Sequence, residues 1–309
     1  MAGSSTPQHV VVATDDRFAM PTAVTLRSVG EVGAGPFVFT VLHKALSSHR
    51  RDEIAASLAD LDHVRVDFVD LSSFKPDPRR PTDLPDAAYF RMKIGEVVPL
   101  AAGRALYIDV DVIMRHDPTE LFAMDLDDHA IGAVRSVQFP SLATPGAVRF
   151  WPEANVDPRA PYFNSGVMII DLARWNDDRI ADITTAHARS PHTGHGGDQE
   201  AINVALNGRW KQLHPRWNQQ PAMLDDLHGT QLLFSDTEIE EARADPAIVH
   251  YQRRPKPWHT GCDHPWLDLW LETARRTAFE QIDGFAFHPP RRDARWRVRR
   301  AAAAIVQGQ

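Results

Sequence analysis

The chain has 309 residues, 43% of them apolar, enough to build one large α/β domain or two small ones. Its net charge of -7 gives a nucleic-acid role no support. Its one cysteine, Cys262, excludes an intramolecular disulfide framework and a thiolate metal cluster, which fits a reducing compartment. The opening "MAGSSTPQ" is short and polar, without a signal-peptide core. No apolar run reaches the roughly 18 residues that a bilayer span needs. The expected location is therefore the cytoplasm.

Taken in chain order, "HVVVAT" (9–14) reads as the first strand and "AVTLRSVGEV" (23–32) as an amphipathic helix. "FVFTVL" (37–42) and "VRVDFVDL" (64–71) read as strands around the helix-like "SSHRRDEIAASLADL". Strands alternating with helix-length segments predict βαβ units and a mostly parallel sheet. "FKPDPRRPTDLPD" (74–86) is a proline-rich loop, and "AAYFRMKIGEVVPL" reads as a helix stopped by Pro99. The Gly103 turn leads into the strand of "ALYIDVDVIMRHDP" (105–118).

"AIGAV" (130–134) is a short buried strand, followed by a long Pro- and aromatic-rich loop through residue 161. Long loops in compact domains are often binding loops or lids. Phe139, Phe150 and Trp151 give this loop flat aromatic faces. Asn164 and Ser165 either shape a turn into "GVMII" or serve a site, and that strand runs on into a helix at "DLARW". "GDQEAINVAL" opens a helix with Asp198 near its N-cap, and "AIV" before His250 is a further short strand. With no internal repeat and no clean linker, one domain is expected over 8–262. A C-terminal extension follows over 263–309. Its end carries Arg291, Arg292, Arg295, Arg297, Arg299 and Arg300 around Trp296 and Val298. Such a basic stretch can rest weakly on the anionic inner face of a membrane, or stay solvated.

Alternating side chains on an extended backbone put Asp109 and Asp111 on one side, where they repel unless a cation lies between them. Asp15 and Asp16 end the first strand, so two strands deliver carboxylates to one rim, where open parallel sheets bind ligands. Hard oxygen ligands suit Mg²⁺ or Mn²⁺ bridging a diphosphate. In "HYQRRPKPWH" (250–259), His250 can complete such a site. Lys256, fixed between prolines, can reach a phosphate, and Trp258 offers a flat face. The strand followed by "DVDVI" also matches haloacid-dehalogenase-type phosphatases, whose first aspartate attacks phosphorus. That family carries its motif on the first strand, and here three strands come earlier.

Six stretches occur in one order: "VVVATDDRF", "YFRMKIGE", "LYIDVDVI", "YFNSGVMIIDLARW", "GDQEAIN" and "HYQRRPKPWH". Together they resemble glycosyltransferase family 8, the group of glycogenin and the bacterial lipooligosaccharide galactosyltransferases. The resemblance implies a GT-A fold, a mostly parallel Rossmann-like α/β sheet flanked by helices. It also implies retaining transfer of a hexose from a UDP-sugar to a carbohydrate, lipid-linked or small-molecule hydroxyl. Under it Asp109, Asp111 and His250 would ligate Mn²⁺, with Mg²⁺ as the substitute. Asp15, Arg17 and Phe18 would lie at the nucleotide, and Arg91, Val110 and Lys256 at the donor or its diphosphate. Asn164, Asp198 and Gln199 would line the donor sugar, with Gln199 nearest the reacting carbon. An amide is a poor nucleophile, so front-side displacement fits equally well. Two positions depart from the family pattern. Arg253 replaces a glycine near the diphosphate, and Ser136 replaces an acidic residue. The sugar therefore stays unassigned, and a non-catalytic UDP-sugar-binding protein remains an alternative.

Overall fold

Strands covered on both faces carry continuous apolar runs. Such runs make β1 (Gln8–Thr14) and β2 (Phe37–His43), the latter buried at every residue. β3 (Val64–Asp70) alternates instead, with an Arg65–Asp67 ion pair outside, which suits a sheet edge. The structure is a computed structural model that describes residues 6–76, 86–194, 196–225, 230–252 and 254–279. α1 (Ala19–Val32) and α2 (Ser48–Ala56) connect the first three strands. Then come α3 (Ile94–Val97), β4 (Arg104–Ile108), β5 (Val112–Met114), α4 (Thr119–Ala123), β6 (Ile131–Arg135) and β7 (Phe163–Asp171). They are followed by α5 (Leu172–Asp177), α6 (Ile180–Arg189), α7 (Gly197–Leu206), β8 (Lys211–Gln212), α8 (Asp236–Ala244), β9 (Ile248–His250) and α9 (Leu267–Ala274).

Seven strands form the main sheet in the order β3-β2-β1-β4-β7-β6-β8. The pairs among β3, β2, β1 and β4 are parallel, β7 runs antiparallel to both neighbours, and β8 is parallel to β6. This is the expected mainly parallel α/β sheet with flanking helices. Alternation splits β1 between two cores. Val10 and Val12 join Phe39, Trp217 and Trp270 on one face, while Val11 joins Phe90, Tyr107 and Trp175 on the other. The chain leaves β1 towards β2 and returns on its other side as β4. The carboxyl ends of β1 and β4 therefore flank a topological switch point, the usual ligand crevice of such sheets.

Three local features differ from the sequence expectation. The stretch 87–98 is not one α-helix but a 3-10 run, Asp86–Lys93, followed by the single turn of α3. Tyr89, Phe90, Arg91 and Met92 are all buried, so the run is enclosed on every side. Asn164 and Ser165 lie inside β7, not in a turn before it. Pairing of Phe163 with Arg135 and of Asn164 with Val134 extends the strand, and the Asn203 amide accepts from Phe163 N–H (2.9 Å) and donates to Phe163 O (3.1 Å). Trp258 presents no free face. It is buried, with its ring centroid 6.3 Å from Phe18 and 5.6 Å from Trp270.

A second small sheet, β5 with β9, sets Val112 opposite His250. Two hydroxyls of α1 satisfy the open edge of β5. Thr25 donates to Val112 O at 2.9 Å, and Ser28 Oγ accepts from Met114 N–H at 3.0 Å. Beyond Asp263 the chain still contributes to the main core through Trp266, Trp270 and Phe279. Arg276 pairs with Glu31 of α1 at 2.6 Å. The Arg-rich tail and Arg253 lie outside the described residues. No described helix is long and apolar enough to cross a membrane. Trp270→Ala should lower unfolding free energy by about 3–5 kcal/mol in denaturant titration, as large-to-small changes at fully buried aromatics do. A loss below about 1 kcal/mol would show that α9 is not part of the cooperative core.

Candidate functional site

The β6–β7 register slips between Ala133, opposite Met168, and Val134, opposite Asn164. Ser165, Gly166 and Val167 bow out of that ladder as a bulge. On the other side β7 stays paired, with Asp109 N–H donating to Gly166 O at 2.8 Å. The bulge therefore sits directly behind the end of β4. A Cβ on Gly166 would lie 2.4 Å from His250 Cε1 and 2.7 Å from Asp109 Oδ2, so only glycine fits.

In front of that glycine stand Asp109, Asp111 and His250, with one ligand atom from each within 4.8 Å of the others. β4 delivers Asp109, the start of β5 delivers Asp111, and the Val112–His250 pairing delivers the imidazole. His250 Nε2 lies 3.2 Å from Asp111 Oδ1 and 4.0 Å from Asp109 Oδ2. Two carboxylate oxygens and one imidazole nitrogen fit a hard divalent cation. His250 Nδ1 lies 2.8 Å from Asn218 Oδ1.

Cationic side chains hold the two aspartates. Arg91, 5% exposed, donates from Nη2 to Asp109 Oδ1 at 2.9 Å and from Nη1 to Ser165 O at 2.7 Å and Ser165 Oγ at 3.0 Å. Its Nε–H points at Ala88 O (3.0 Å), so the 2.7 Å approach of Nε to Asp198 Oδ2 is a contact of charges without an aligned hydrogen bond. The guanidinium stacks 4.4 Å over Tyr107, whose hydroxyl donates to Asp109 Oδ1 at 3.0 Å. Burial pushes the Tyr107 phenol well up, so it remains a donor. Lys256 Nζ bonds Asp111 Oδ2, Tyr251 O (2.7 Å) and Gln252 O (3.0 Å). Burial opposes ionisation of Asp111, but Lys256 and His250 outweigh it and hold its carboxyl well below the usual range.

Asp198 and Gln199 stand on the first turn of α7. Gln199 Oε1 accepts from Ser165 N–H at 3.1 Å and from Asn164 Nδ2 at 3.2 Å. Buried Glu200 fixes the approach to that turn by accepting from Gly194 N–H (2.7 Å) and Gly196 N–H (3.0 Å). Asp198 is 3% exposed, and burial pushes its carboxyl up to about 6, against the opposing pull of Arg91.

Asp15, Arg17 and Phe18 gather on the 3-10 turn after β1. The Asp15 carboxylate is taken up by Arg17, which donates from its backbone N–H (2.9 Å) and from Nη2 (2.8 Å). Phe18 connects this turn to Trp258. Val110 is half-buried between the two aspartates and packs on the main core. Ser136 is buried, and its hydroxyl accepts Phe139 N–H at 3.1 Å. Tyr107, Gly166, Glu200 and Asn218 escape the sequence reading. For Asn218 the available signal is an Asn–Gln–Gln run after Trp217 that is too polar for the core it occupies.

The family model for glycosyl transferase family 8 matches residues 9–262. The chain belongs to glycosyltransferase family 8. It is 30% identical to general stress protein A of Bacillus subtilis over 63% of this chain and 67% of that protein. With glycosyltransferase GlyF of Streptococcus pneumoniae it shares 27% identity over 85% of this chain, and spans 60% of that protein's length. A solved structure of the galactosyltransferase LgtC with donor and acceptor sugar analogues superposes with a TM-score of 0.68 at 22% identity, covering 94% of this chain and 100% of that one. The apo structure of WbbM, a bifunctional glycosyltransferase, gives 0.74 at 18% identity, over 91% and 51%. These likenesses establish the GT-A fold. The Asp109 strand is the fourth among the described residues and lies within the family match, so the phosphatase reading loses its support.

Asp198 ionises at about 6 in the fold and near 3.8 when unfolded. Between these values the folded state holds the extra proton. This group therefore makes stability fall as pH rises from about 4 to about 6, and the loss persists above. The effect is on the order of 1–3 kcal/mol. Denaturant titrations of wild type and Asp198→Asn at about pH 4 and pH 7 should show a steeper loss in wild type. Equal pH dependence in both proteins would refute a buried, proton-holding Asp198.

Proposed function

We propose that the chain is a metal-dependent, retaining hexosyltransferase that moves a sugar from a UDP-sugar to a hydroxyl acceptor. The observation that carries this is the Asp109–Asp111–His250 group at the β1–β4 switch point, with the Gln199 amide bonded to the same β7 bulge. Asp109, Asp111 and His250 would hold Mn²⁺, or Mg²⁺. A bound divalent ion supplies Lewis-acid charge to a departing diphosphate. Asp15 and Phe18 would hold the nucleotide base, with Arg17 near the nucleotide, Val110 at the donor and the Lys256 ammonium at the diphosphate. Arg91 would set the donor end through Asp109 and Ser165, and Asn164, Asp198 and Gln199 would line the sugar.

Gln199 Oε1 already accepts from two N–H donors, which drains a carbonyl oxygen that is a weak nucleophile in any case. That favours front-side displacement, in which the leaving phosphate oxygen takes the acceptor's proton. The acceptor would lie along the loop 137–161, where Thr144, Arg149 and Trp151 help line a cavity of about 260 Å³. With Ser136 capping a backbone turn in place of an acidic residue, the donor hydroxyls would be read by other groups. The proposed setting is the cytoplasm, with weak contact at the inner membrane face through the Arg-rich tail.

A panel of UDP-sugars with Mn²⁺ tests this. Metal-dependent release of UDP is expected from at least one donor. Asp109→Asn should cut it by more than roughly 100-fold, beyond the loss typical of a residue that only supports a ligand. Neither UDP release nor metal-dependent UDP binding from any donor would overturn the proposal. Metal-dependent UDP binding without turnover would select the binding-protein alternative, and phosphate release from phosphomonoesters without UDP release would revive the phosphatase.

A further inference from the structure

An imidazole has two nitrogens, and only the unprotonated one can bind a metal. Which nitrogen of His250 is free follows from a chain of hydrogen bonds that begins at a backbone N–H. Gly166 N–H can only donate, and it lies 3.1 Å from Asn164 Oδ1. That fixes the Asn164 amide with its oxygen towards Gly166 and its nitrogen towards Gln199. A second backbone group agrees. Ser165 N–H meets Gln199 Oε1 at 3.1 Å, so Gln199 presents oxygen to the Asn164 nitrogen.

The same Asn164 Oδ1 lies 2.8 Å from the Asn218 amide. An oxygen already accepting can only accept again, so Asn218 must offer its NH₂ there. The Asn218 oxygen is then left facing His250 Nδ1 at 2.8 Å. An amide oxygen accepts and never donates, so Nδ1 must carry a proton. Nε2 is the nitrogen left to face Asp111 and Asp109 at 3.2 and 4.0 Å. Asn218 and His250 are both buried, at 0% and 1% exposure, so water does not compete for these contacts.

We propose that Asn218 is a positioning residue that locks His250 as the Nδ1–H tautomer and so presents Nε2 to a divalent cation between Asp109 and Asp111. The orienting information comes from the Gly166 N–H at the β7 bulge, two amides away. The metal half of this inference rests on the proposed metal-dependent function; the tautomer half stands on the hydrogen bonds alone.

Two measurements test the two halves separately. Long-range ¹H–¹⁵N spectra of the metal-free, full-length protein report which nitrogen carries the proton, with the His250 signals assigned by their loss in His250→Gln. The wild type should show a protonated Nδ1 and an unprotonated Nε2 when the ring is neutral. Observing the Nε2–H tautomer would overturn the proposal without any variant having to fold. Asn218→Leu, close in volume and unable to accept, should lose the fixed tautomer and weaken Mn²⁺ binding, read by electron paramagnetic resonance, by roughly 10–100-fold. An unchanged tautomer with Mn²⁺ affinity within about twofold of wild type would also overturn it. If wild type binds no Mn²⁺ in the presence of UDP, the metal-dependent function fails and takes the metal half with it, while the spectra still decide the tautomer.

Discussion

Everything at the crevice depends on one buried cation. Arg91 is enclosed by the fold and gives its protons to Asp109, Ser165 and Ala88 while lying against Asp198. Removing a guanidinium and two carboxylates from water costs several kcal/mol per ion. Close charge pairing and hydrogen bonding must offset that. Arg91 meets the condition by reaching three segments at once: the end of β4, the bulge of β7 and the first turn of α7. The same contacts hold Asp109 Oδ1 with two donors and leave Oδ2 turned towards His250. Lys256 repeats the arrangement at Asp111, using two backbone carbonyls as its other anchors.

The sheet supplies the rigidity this arrangement needs. β7 is an antiparallel strand inserted between β4 and β6, and its bulge turns consecutive backbone groups towards the site. Ser165 O serves Arg91, Ser165 N–H serves Gln199, and Gly166 N–H serves Asn164. Backbone groups have fixed polarity, so they impose direction on side-chain amides that could otherwise turn either way. A buried polar network is stable only when every member is satisfied. Here Asn164, Gln199 and Asn218 each use both oxygen and nitrogen, which fixes the direction of each amide.

Much of the plan is legible in the chain. The apolar runs of β1, β2 and β4 announce a covered parallel sheet. Asp109 and Asp111 do converge, although on the turn between β4 and β5 and not on extended backbone, and the order of six motifs points to the family that the match over residues 9–262 then establishes. The readings that failed did so for local reasons. "YFRMKIGE" has the length of a helix, but the chain winds as a 3-10 run through Lys93 before one α turn. Trp258 looks like a free platform beside Lys256, yet α9 arrives from beyond Asp263 and covers it. Asn164 and Ser165 have turn composition, but Asn164 pairs with Val134 of β6 and both residues lie within β7.

The sequence by itself determined the strands, their order of apolar and polar residues, and the presence of two aspartates at a strand end. Each of these follows from periodicity over a few residues, which is local. Only the tertiary structure decided that His250 faces those aspartates, that Arg91 is enclosed, and which way Asn164, Gln199 and Asn218 point. Those outcomes depend on strand register and on contacts between segments far apart in the chain. A shift of one residue in β7 would reverse them without altering any local pattern.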